Sequence, residues 1–187
     1  MAHDHSDAEL ISELRQRDPK ALEMVYDRYG HVVYSLFLRI TRDEATAEDL
    51  VQELFMRVWN RARDFDSGKG SFGVWILSIA RKMAIDHLRS ADARFATRLR
   101  PLDYAEQTHL GDRTSEPESI IDRMRAVKAA FEHLSFDQRR VLELAYFQGF
   151  SQSEIATQLN EPLGTVKSWM RSALARLRTA SKGSAVK

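Results

Sequence analysis

The sequence contains no cysteine, and it has only four prolines and eight glycines in 187 residues. These counts exclude disulfide-stapled, collagen-like and low-complexity proteins. No apolar run approaches the roughly 18 residues that a membrane-spanning helix requires, and the polar opening lacks the apolar stretch of a secretory signal. We therefore expect a cytoplasmic protein without membrane insertion.

An excess of charge of one sign is also nearly absent, because 28 basic residues face 27 acidic ones and leave a net charge of +1. The exception is the segment 164–187, which carries six cations and no carboxylate. A basic stripe on a near-neutral body is a common footprint of a phosphate-binding element. A solvated basic tail would give the same count, so the conformation of this segment decides between the two.

Most of the chain follows the 3.6-residue period of amphipathic helices. A capping box at Ser6–Glu9 predicts a short first helix, and Asp18-Pro19 predicts the start of a long second one. A third helix has its apolar stripe between Leu50 and Ala62, and a glycine-broken loop at 65–72 precedes a fourth. Residues 7–90 are therefore predicted to form one all-α domain.

The third and fourth helices each present a polar outer face. That of the third comprises Asp49, Gln52, Glu53, Met56 and Asn60. The inner face of the fourth comprises Phe72, Ile76, Ile79, Met83 and Leu88. Its outer face comprises Trp75, Ser78, Lys82 and Arg89, with Arg81 beside them. Solvation alone accounts for such faces unless another observation assigns them a partner.

The periodicity fails in residues 91–118, where Pro101, Gly111 and Pro117 mark a flexible linker longer than compact domains usually contain. Fully extended, such a segment spans roughly 90 Å at about 3.3–3.6 Å per residue. The domains on either side therefore need not touch.

Residues 119–180 are predicted to form a second helical domain, followed by a basic tail over 181–187. Capping boxes at Ser135–Gln138 and Ser151–Glu154 open two of its helices. The second of these helices is short, and residues 160–164 turn the chain into a final helix. This order is typical of a helix-turn-helix, whose second helix enters the major groove. An ordinary helical hairpin packed on a core shows the same pattern.

The final helix is predicted to run from Thr165 to about Arg178. Its inward positions are Val166, Met170, Leu174 and Leu177. Its outward positions are Ser168, Arg171, Ser172 and Ala175. Thr165 and Lys167 lie near its N-terminus, where unpaired backbone amides favour phosphate.

At this stretch the sequence resembles a known family. The residues Gly149-Phe-Ser-Gln-Ser-Glu-Ile-Ala156, Gly164-Thr-Val-Lys-Ser168 and Ala173-Leu-Ala-Arg-Leu-Arg178 are similar to region 4 of bacterial extracytoplasmic-function (ECF) sigma factors, in the sigma-70 superfamily. In the N-terminal half, Ala47-Glu-Asp-Leu-Val-Gln-Glu53, Gly70-Ser-Phe72 and Ala84-Ile-Asp-His-Leu-Arg89 resemble region 2 of that family in order and spacing. The resemblance covers nearly all of residues 18–180 except the linker.

The resemblance implies a promoter-specificity subunit that has no catalytic activity and no cofactor. Such a protein binds core RNA polymerase, places it on promoter DNA and helps to open the duplex. Region 2 would dock on the polymerase through the outer face of the third helix and hold the minus-10 element as a single strand. Region 4 would read the minus-35 element as a double strand. Control by an anti-sigma factor and a stress or extracytoplasmic response are implied in the same way.

The resemblance also implies two sets of DNA-binding residues. The minus-10 set is Lys69, Phe72, Trp75, Arg81, Lys82 and Arg89. Core packing is the expected role of at least one of its two aromatic residues. The minus-35 set is Thr165, Lys167, Ser168, Trp169, Arg171, Ser172 and Arg176. Trp169 and Ser172 depart from the commonest family pattern, Trp169 lies close enough to the inner stripe to seal the hairpin, and Arg171 could contact either guanine or phosphate.

Two other classes of protein fit parts of the sequence. A stand-alone helix-turn-helix repressor or activator would use residues 1–90 as a sensing domain and would bind a palindrome unaided. An α-helical enzyme is the least favoured class, because no P-loop, Rossmann glycine pattern, nucleophile elbow or zinc-type histidine pair is present. The segment His3-Asp4-His5 is interpreted as a solvated terminus and not as a metal site.

Overall fold

The computed structural model describes residues 5–92 and 129–183, and within these ranges it contains helices and no strand. The chain divides into two compact units, Met1–Ser115 and Glu116–Lys187. The predicted all-α fold with two helical domains is confirmed. Residues 91 and 92 of the predicted linker instead end a helix, and the remainder of 91–118 lies outside the described residues.

Four helices form the described part of the first unit: α1 (Asp7–Arg15), α2 (Pro19–Thr41), α3 (Glu44–Arg61) and α4 (Phe72–Asp92). Two short 3-10 turns, Ala62–Asp64 and Ser67–Lys69, lie between α3 and α4. Helices α2, α3 and α4 pack against one another, and α1 packs on α2. Each helix buries the apolar stripe that its sequence carries.

The starts of these helices follow from local capping. The Ser6 hydroxyl accepts a hydrogen bond from the Glu9 amide (3.3 Å), and the Glu9 carboxylate accepts one from the Ser6 amide (2.7 Å), which confirms the predicted capping box. Asp43 accepts from the Thr46 amide at 2.8 Å and so caps α3. Hydrogen bonds from Thr46 lower the pKa of Asp43. The cap is therefore anionic at neutral pH, at the positive end of the α3 dipole.

Tyr29 of α2 connects α2 with α1 and α4. It is 1% exposed, and its hydroxyl donates a hydrogen bond to the Asp7 carboxylate of α1 at 2.8 Å. Its ring meets Phe72 of α4 edge-on, with 5.9 Å between ring centroids. Gly73 allows this approach, because a Cβ atom there would lie 2.9 Å from Cε1 of Tyr29. The glycine is therefore a packing requirement of the α2–α4 contact.

A buried cation lies next to Tyr29 in the sequence and shares its carboxylate partner. Arg28 is 7% exposed, donates from Nη1 to the Asp7 carboxylate at 2.9 Å, and donates from Nη2 to the His5 carbonyl. A buried guanidinium is tolerated when its donors are paired. The ion pair between Arg28 and Asp7 therefore holds α1 against α2, in addition to the burial of Leu10 and other apolar residues of α1.

The described part of the second unit contains α5 (Phe136–Tyr146), α6 (Gln152–Leu159) and α7 (Leu163–Gly183), preceded by helical residues 129–132. Both predicted capping boxes are present, at Ser135–Gln138 and at Ser151–Glu154. The core includes Val141 of α5, Ile155 of α6 and Val166 and Met170 of α7. The predicted order of short helix, turn and final helix is confirmed.

Helix α7 is longer than predicted. It begins at Leu163 and not at Thr165, because the Pro162 carbonyl already accepts a hydrogen bond from the Thr165 amide at 2.9 Å. It continues to Gly183 and not to about Arg178, since no glycine or proline lies between Thr165 and Gly183.

The inner face of α7 also differs from the prediction. Leu174, predicted inward, is 39% exposed, whereas Ala173 is fully buried. A step of four residues advances about 40° beyond a full helical turn, so two such steps in succession drift away from the core. The step of three from Met170 to Ala173 corrects this drift.

Gly73→Ala should lower the free energy of unfolding of the first unit by about 1–3 kcal/mol, because the added methyl group meets a ring that packing and a hydrogen bond already fix. Urea denaturation followed by circular dichroism measures the change. Gly164→Ala in α7 is the matched control, because a Cβ atom there has no neighbour within 4 Å. It should stabilise the second unit by about 0.5–1 kcal/mol. Stabilisation by both substitutions would contradict the packing role of Gly73.

Candidate functional site

The outer face of α3 is exposed as the sequence predicts, and Met56 is 55% exposed. The five residues of this face are Asp49, Gln52, Glu53, Met56 and Asn60. The Glu53 carboxylate accepts a hydrogen bond from Nη2 of Arg57 (2.6 Å), and Oδ1 of Asn60 accepts one from Nη1 of Arg17 (3.4 Å). Two carboxylates and an apolar side chain on one face suit a partner surface that carries basic and apolar residues.

An aromatic residue of α2 lies close to this face. Tyr26 is 50% exposed. Its ring contacts that of Phe55 at 4.9 Å between centroids, and Phe55 immediately precedes Met56 in α3. Tyr26 stands at the edge of the apolar stripe that contains Tyr29, and the period alone does not separate a stripe edge from its centre.

Three aromatic rings meet where α3 connects to α4. The Phe65 ring packs against Phe72 at 5.5 Å and against Trp75 at 5.6 Å, and the rings of Phe72 and Trp75 stack at 5.8 Å with 19° between their planes. Phe65 and Phe72 are 7% and 2% exposed, whereas Trp75 is half-buried. Phe72 is therefore a core residue in this structure, and of the two aromatic residues in the minus-10 set only Trp75 reaches the surface.

The tip of this connection has a defined turn. The Asp66 carboxylate accepts a hydrogen bond from the Gly68 amide at 3.0 Å and pairs with Nζ of Lys69 at 3.4 Å. The bond from the Gly68 amide, and then the Lys69 side chain, lower the pKa of Asp66, so this carboxylate is ionised at neutral pH. Gly70 has a φ of 151°, which other residues rarely adopt. The Lys69 side chain is 84% exposed and extends from this turn.

One face of α4 carries three residues of the minus-10 set. Trp75, Lys82 and Arg89 are spaced seven apart, which is close to two helical turns. Lys82 and Arg89 are exposed, while Arg81 is half-buried and lies about 100° around the helix. A ring in line with two cations suits single-stranded DNA, because a base can stack on the ring while the cations attract phosphates.

A cavity of about 420 Å³ opens between α1 and the connection from α3 to α4. Its α1 side is formed by Asp7, Ala8, Ile11 and Arg15. Its other side is formed by Phe65, Ser67, Gly70, Ser71 and Phe72. None of the α1 residues is in a predicted site set, because the period of α1 shows an apolar stripe and not which element lies beside it.

Lys167, Ser168 and Arg171 of the minus-35 set are exposed on α7, and Thr165 is half-buried. They occupy the N-terminal half of the helix, which a recognition helix presents to base edges. Leu174 follows Arg171 by three residues and adds an exposed apolar group to this surface.

The other three residues of the minus-35 set contact the rest of the second unit. Ser172 accepts a hydrogen bond from Nε2 of the buried Gln138 at 3.0 Å, and Trp169 packs against the core. Arg176 is exposed but donates from Nη1 to the His133 carbonyl at 3.2 Å. Because Gln138 also closes the capping box of α5, its bond to Ser172 fixes α7 against the start of α5.

Within residues 5–92 and 129–183 no three or more side chains of histidine, cysteine, aspartate or glutamate group as metal ligands do. His3 and Asp4 lie outside the described residues. None of the described helices is both long and apolar enough to cross a membrane.

Comparison with protein families finds two matches, to Sigma-70 region 2 over residues 25–94 and to Sigma-70 region 4 over residues 124–177. The ECF RNA polymerase sigma factor SigK of Mycobacterium bovis (strain BCG / Pasteur 1173P2) is 33% identical over 169 residues, which are 90% of each chain. SigK of Mycolicibacterium vanbaalenii is 31% identical over 169 residues, 90% of this chain and 86% of its own. Among solved structures, Rhodobacter sphaeroides SigE in complex with the anti-sigma ChrR has a TM-score of 0.48 and 24% identity, covering 95% of this chain and 99% of that one.

Proposed function

The chain belongs to the ECF sigma factors of the sigma-70 family, which bind core RNA polymerase and direct it to promoters, and we propose that its two units divide this task. The first unit would bind the polymerase and the minus-10 element, and the second would read the minus-35 element. The observation that supports this division is that the region 2 and region 4 matches fall on separate units, each with an exposed polar face. A repressor with an N-terminal sensing domain has no such support, because the relatives that span 90% of the chain are sigma factors.

The outer face of α3 is the proposed polymerase-binding surface. Asp49 and Glu53 would pair with arginine or lysine of the polymerase, and Met56 would be buried beside them. The Glu53–Arg57 pair is exposed, so docking could replace or share it at a small energetic cost. Tyr26 would add aromatic area at the edge of the contact.

The exposed face of α4 is the proposed minus-10 surface. Trp75 would stack on an unpaired base, while Lys82 and Arg89 follow the backbone and Lys69 approaches from the neighbouring turn. Arg81 would contact phosphate at the side of this face. Phe72 would support Trp75 from the core instead of meeting DNA. Stacking contributes about 1–3 kcal/mol per base, which is comparable to the few kcal/mol needed to unpair one.

The N-terminal half of α7 is the proposed minus-35 surface. Lys167, Ser168 and Arg171 would reach base edges or phosphates, and the amides of the first turn near Thr165 would attract a phosphate. The main role of Ser172, Trp169 and Arg176 would be to hold α7 in its orientation. Because Arg176 is exposed, it would also attract the phosphate backbone of the DNA.

We infer the remaining properties from family membership. An anti-sigma factor would control this protein. By binding over the outer face of α3 it would block the polymerase, and by binding over α7 it would block DNA. The protein would act in the cytoplasm, in a stress or extracytoplasmic response, and would have no catalytic activity of its own.

Asp49→Lys combined with Glu53→Lys should weaken binding to core RNA polymerase by about tenfold or more, because two attractive contacts become repulsive. Fluorescence anisotropy of the labelled protein, titrated with core enzyme, measures the affinity. Runoff transcription from a promoter that the wild type uses measures the consequence. Urea denaturation should show an unchanged fold, because both positions are exposed.

The matched control is Glu44→Lys combined with Glu48→Lys. It makes the same change of charge on the same helix, at exposed positions about 100° to 180° around it from Asp49 and Glu53. An equal loss from both pairs would indicate dependence on net charge and contradict the docking face. A wild-type protein that yields no transcript with core polymerase from any genomic template would contradict the proposed function itself.

Arg171→Ala should reduce discrimination at one or two base pairs of the minus-35 element by about 1–3 kcal/mol, because an arginine fork reads guanine in the major groove. Competition between single-base variants of the promoter for holoenzyme measures this loss. Arg171→Lys is the control, since lysine keeps the charge but not the planar fork. An affinity loss that is uniform over all variants would limit Arg171 to a phosphate contact.

A further inference from the structure

The C-terminal turn of α1 is bonded to the chain segment that leads out of α3. Arg15 donates from Nε to the Ala62 carbonyl at 3.2 Å and from Nη2 to the Phe65 carbonyl at 2.8 Å. Two residues later, Arg17 donates from Nη1 to the Trp59 carbonyl at 3.0 Å, with its guanidinium 5.3 Å from the centre of the Trp59 ring. These contacts join residues more than forty positions apart in the chain.

The Arg15 guanidinium spans the 3-10 turn Ala62–Asp64. One of its donors bonds the carbonyl at the end of α3 and the other bonds the carbonyl just before Asp66, where the exposed turn begins. Carbonyl groups at a helix end lack intrahelical partners, and a planar cationic fork can satisfy two of them with a fixed spacing. Arg15 therefore sets the position from which the loop 65–72 departs.

The far end of the same loop is held at the start of α4. The Ser71 carbonyl accepts a hydrogen bond from the Trp75 amide at 3.1 Å as α4 begins, and the Phe72 ring is buried against Phe65. Between these two anchors, residues 66–70 are exposed. The Arg15 side chain also lines the cavity beneath them, together with Ser67 and Gly70.

Helix α1 is itself held at its other end, where Asp7 accepts hydrogen bonds from Arg28 and Tyr29 of α2. It lies before the region 2 match, which begins at residue 25. The contact of Arg15 is therefore made by an element that is anchored to the core but lies outside the matched region.

From this arrangement we propose that Arg15 is a positioning residue for promoter opening. It holds the loop 65–72 in the orientation that the minus-10 strand needs, through the Ala62 and Phe65 carbonyls, without itself binding DNA. This inference rests on the proposed role of the first unit at the minus-10 element. It adds α1, which none of the predicted site sets includes, to the parts of the protein that opening requires.

The first experiment measures the loop without any DNA. Because the chain has no cysteine, Ser67→Cys provides a single attachment point for a nitroxide spin label on the loop. Arg15→Ala should make the spectrum of this label more mobile, whereas a label at the exposed Ser78→Cys on α4 should not change. An unchanged loop spectrum in Arg15→Ala would overturn the inference whether or not the protein is a sigma factor.

The second experiment measures opening with holoenzyme on a promoter that the wild type uses. Arg15→Ala should reduce opening of duplex DNA about tenfold, as expected for losing one or two charge-assisted hydrogen bonds, with opening followed by permanganate reactivity of unpaired thymines. A template already mismatched over the minus-10 element should restore most of this loss, and core binding should be unchanged. Equal loss on both templates would overturn the positioning role, since a fold defect or a core-binding defect acts on both.

Arg63→Ala is the matched control, because it removes an exposed cation from the same 3-10 turn while Arg15 stays in place. If Arg15 acted by attracting DNA directly, Arg63→Ala would give a similar, salt-sensitive loss, and that result would overturn the proposal. Arg15→Lys serves as the second variant should Arg15→Ala fail to fold, because it keeps the charge but not the fork. An intermediate loss in Arg15→Lys supports positioning, and wild-type opening in that variant overturns it.

Discussion

The contacts of one tyrosine determine how the first unit is arranged. The hydroxyl of Tyr29 binds the Asp7 carboxylate of α1, and its ring meets the edge of Phe72 at the start of α4. Gly73 lets α4 approach this ring closely enough for the contact to form. Since Phe72 in turn stacks on Trp75, the proposed DNA-facing ring is supported by a chain of packing that leads back to α2. The end of the loop 65–72 at α4 is therefore fixed by the core of the first unit.

Local signals in the sequence predicted the helices and their caps well. The capping boxes at Ser6, Ser135 and Ser151 are present, and the outer face of α3 is exposed as the 3.6-residue period indicates. What failed depends on tertiary contacts. No period shows that Arg15 contacts carbonyls from distant residues, although the period does place Phe72 on the inner face of α4 and Trp75 on its outer face, as the structure has them. Leu174 is predicted inward because it continues the spacing of four residues from Val166 to Met170. A second step of four residues turns its side chain away from the core, so the prediction is wrong.

The residues of α7 divide by what they touch. Lys167 and Arg171 extend from the helix, whereas Ser172 is bonded to Gln138 and Trp169 packs on the core. A recognition helix needs both kinds, because a base contact is specific only when the backbone that carries it is held in orientation. The same division holds in the first unit, where Lys69 extends from a turn that the Asp66 carboxylate closes. In both units, therefore, exposed cationic side chains extend from backbone that other side chains hold in position.

The buried guanidinium of Arg28 limits how far this protein can be shortened for biophysical work. Two of its acceptors are the Asp7 carboxylate and the His5 carbonyl, both in the first few residues, which look dispensable from sequence alone. A fragment cut to the matched region would remove these acceptors together with the whole of α1, which packs on α2, and separating a buried ion pair is strongly destabilising. A minimal expressible N-terminal domain should therefore retain the chain from His5 onward, and isotope-labelled samples for solution spectroscopy are best designed on that boundary.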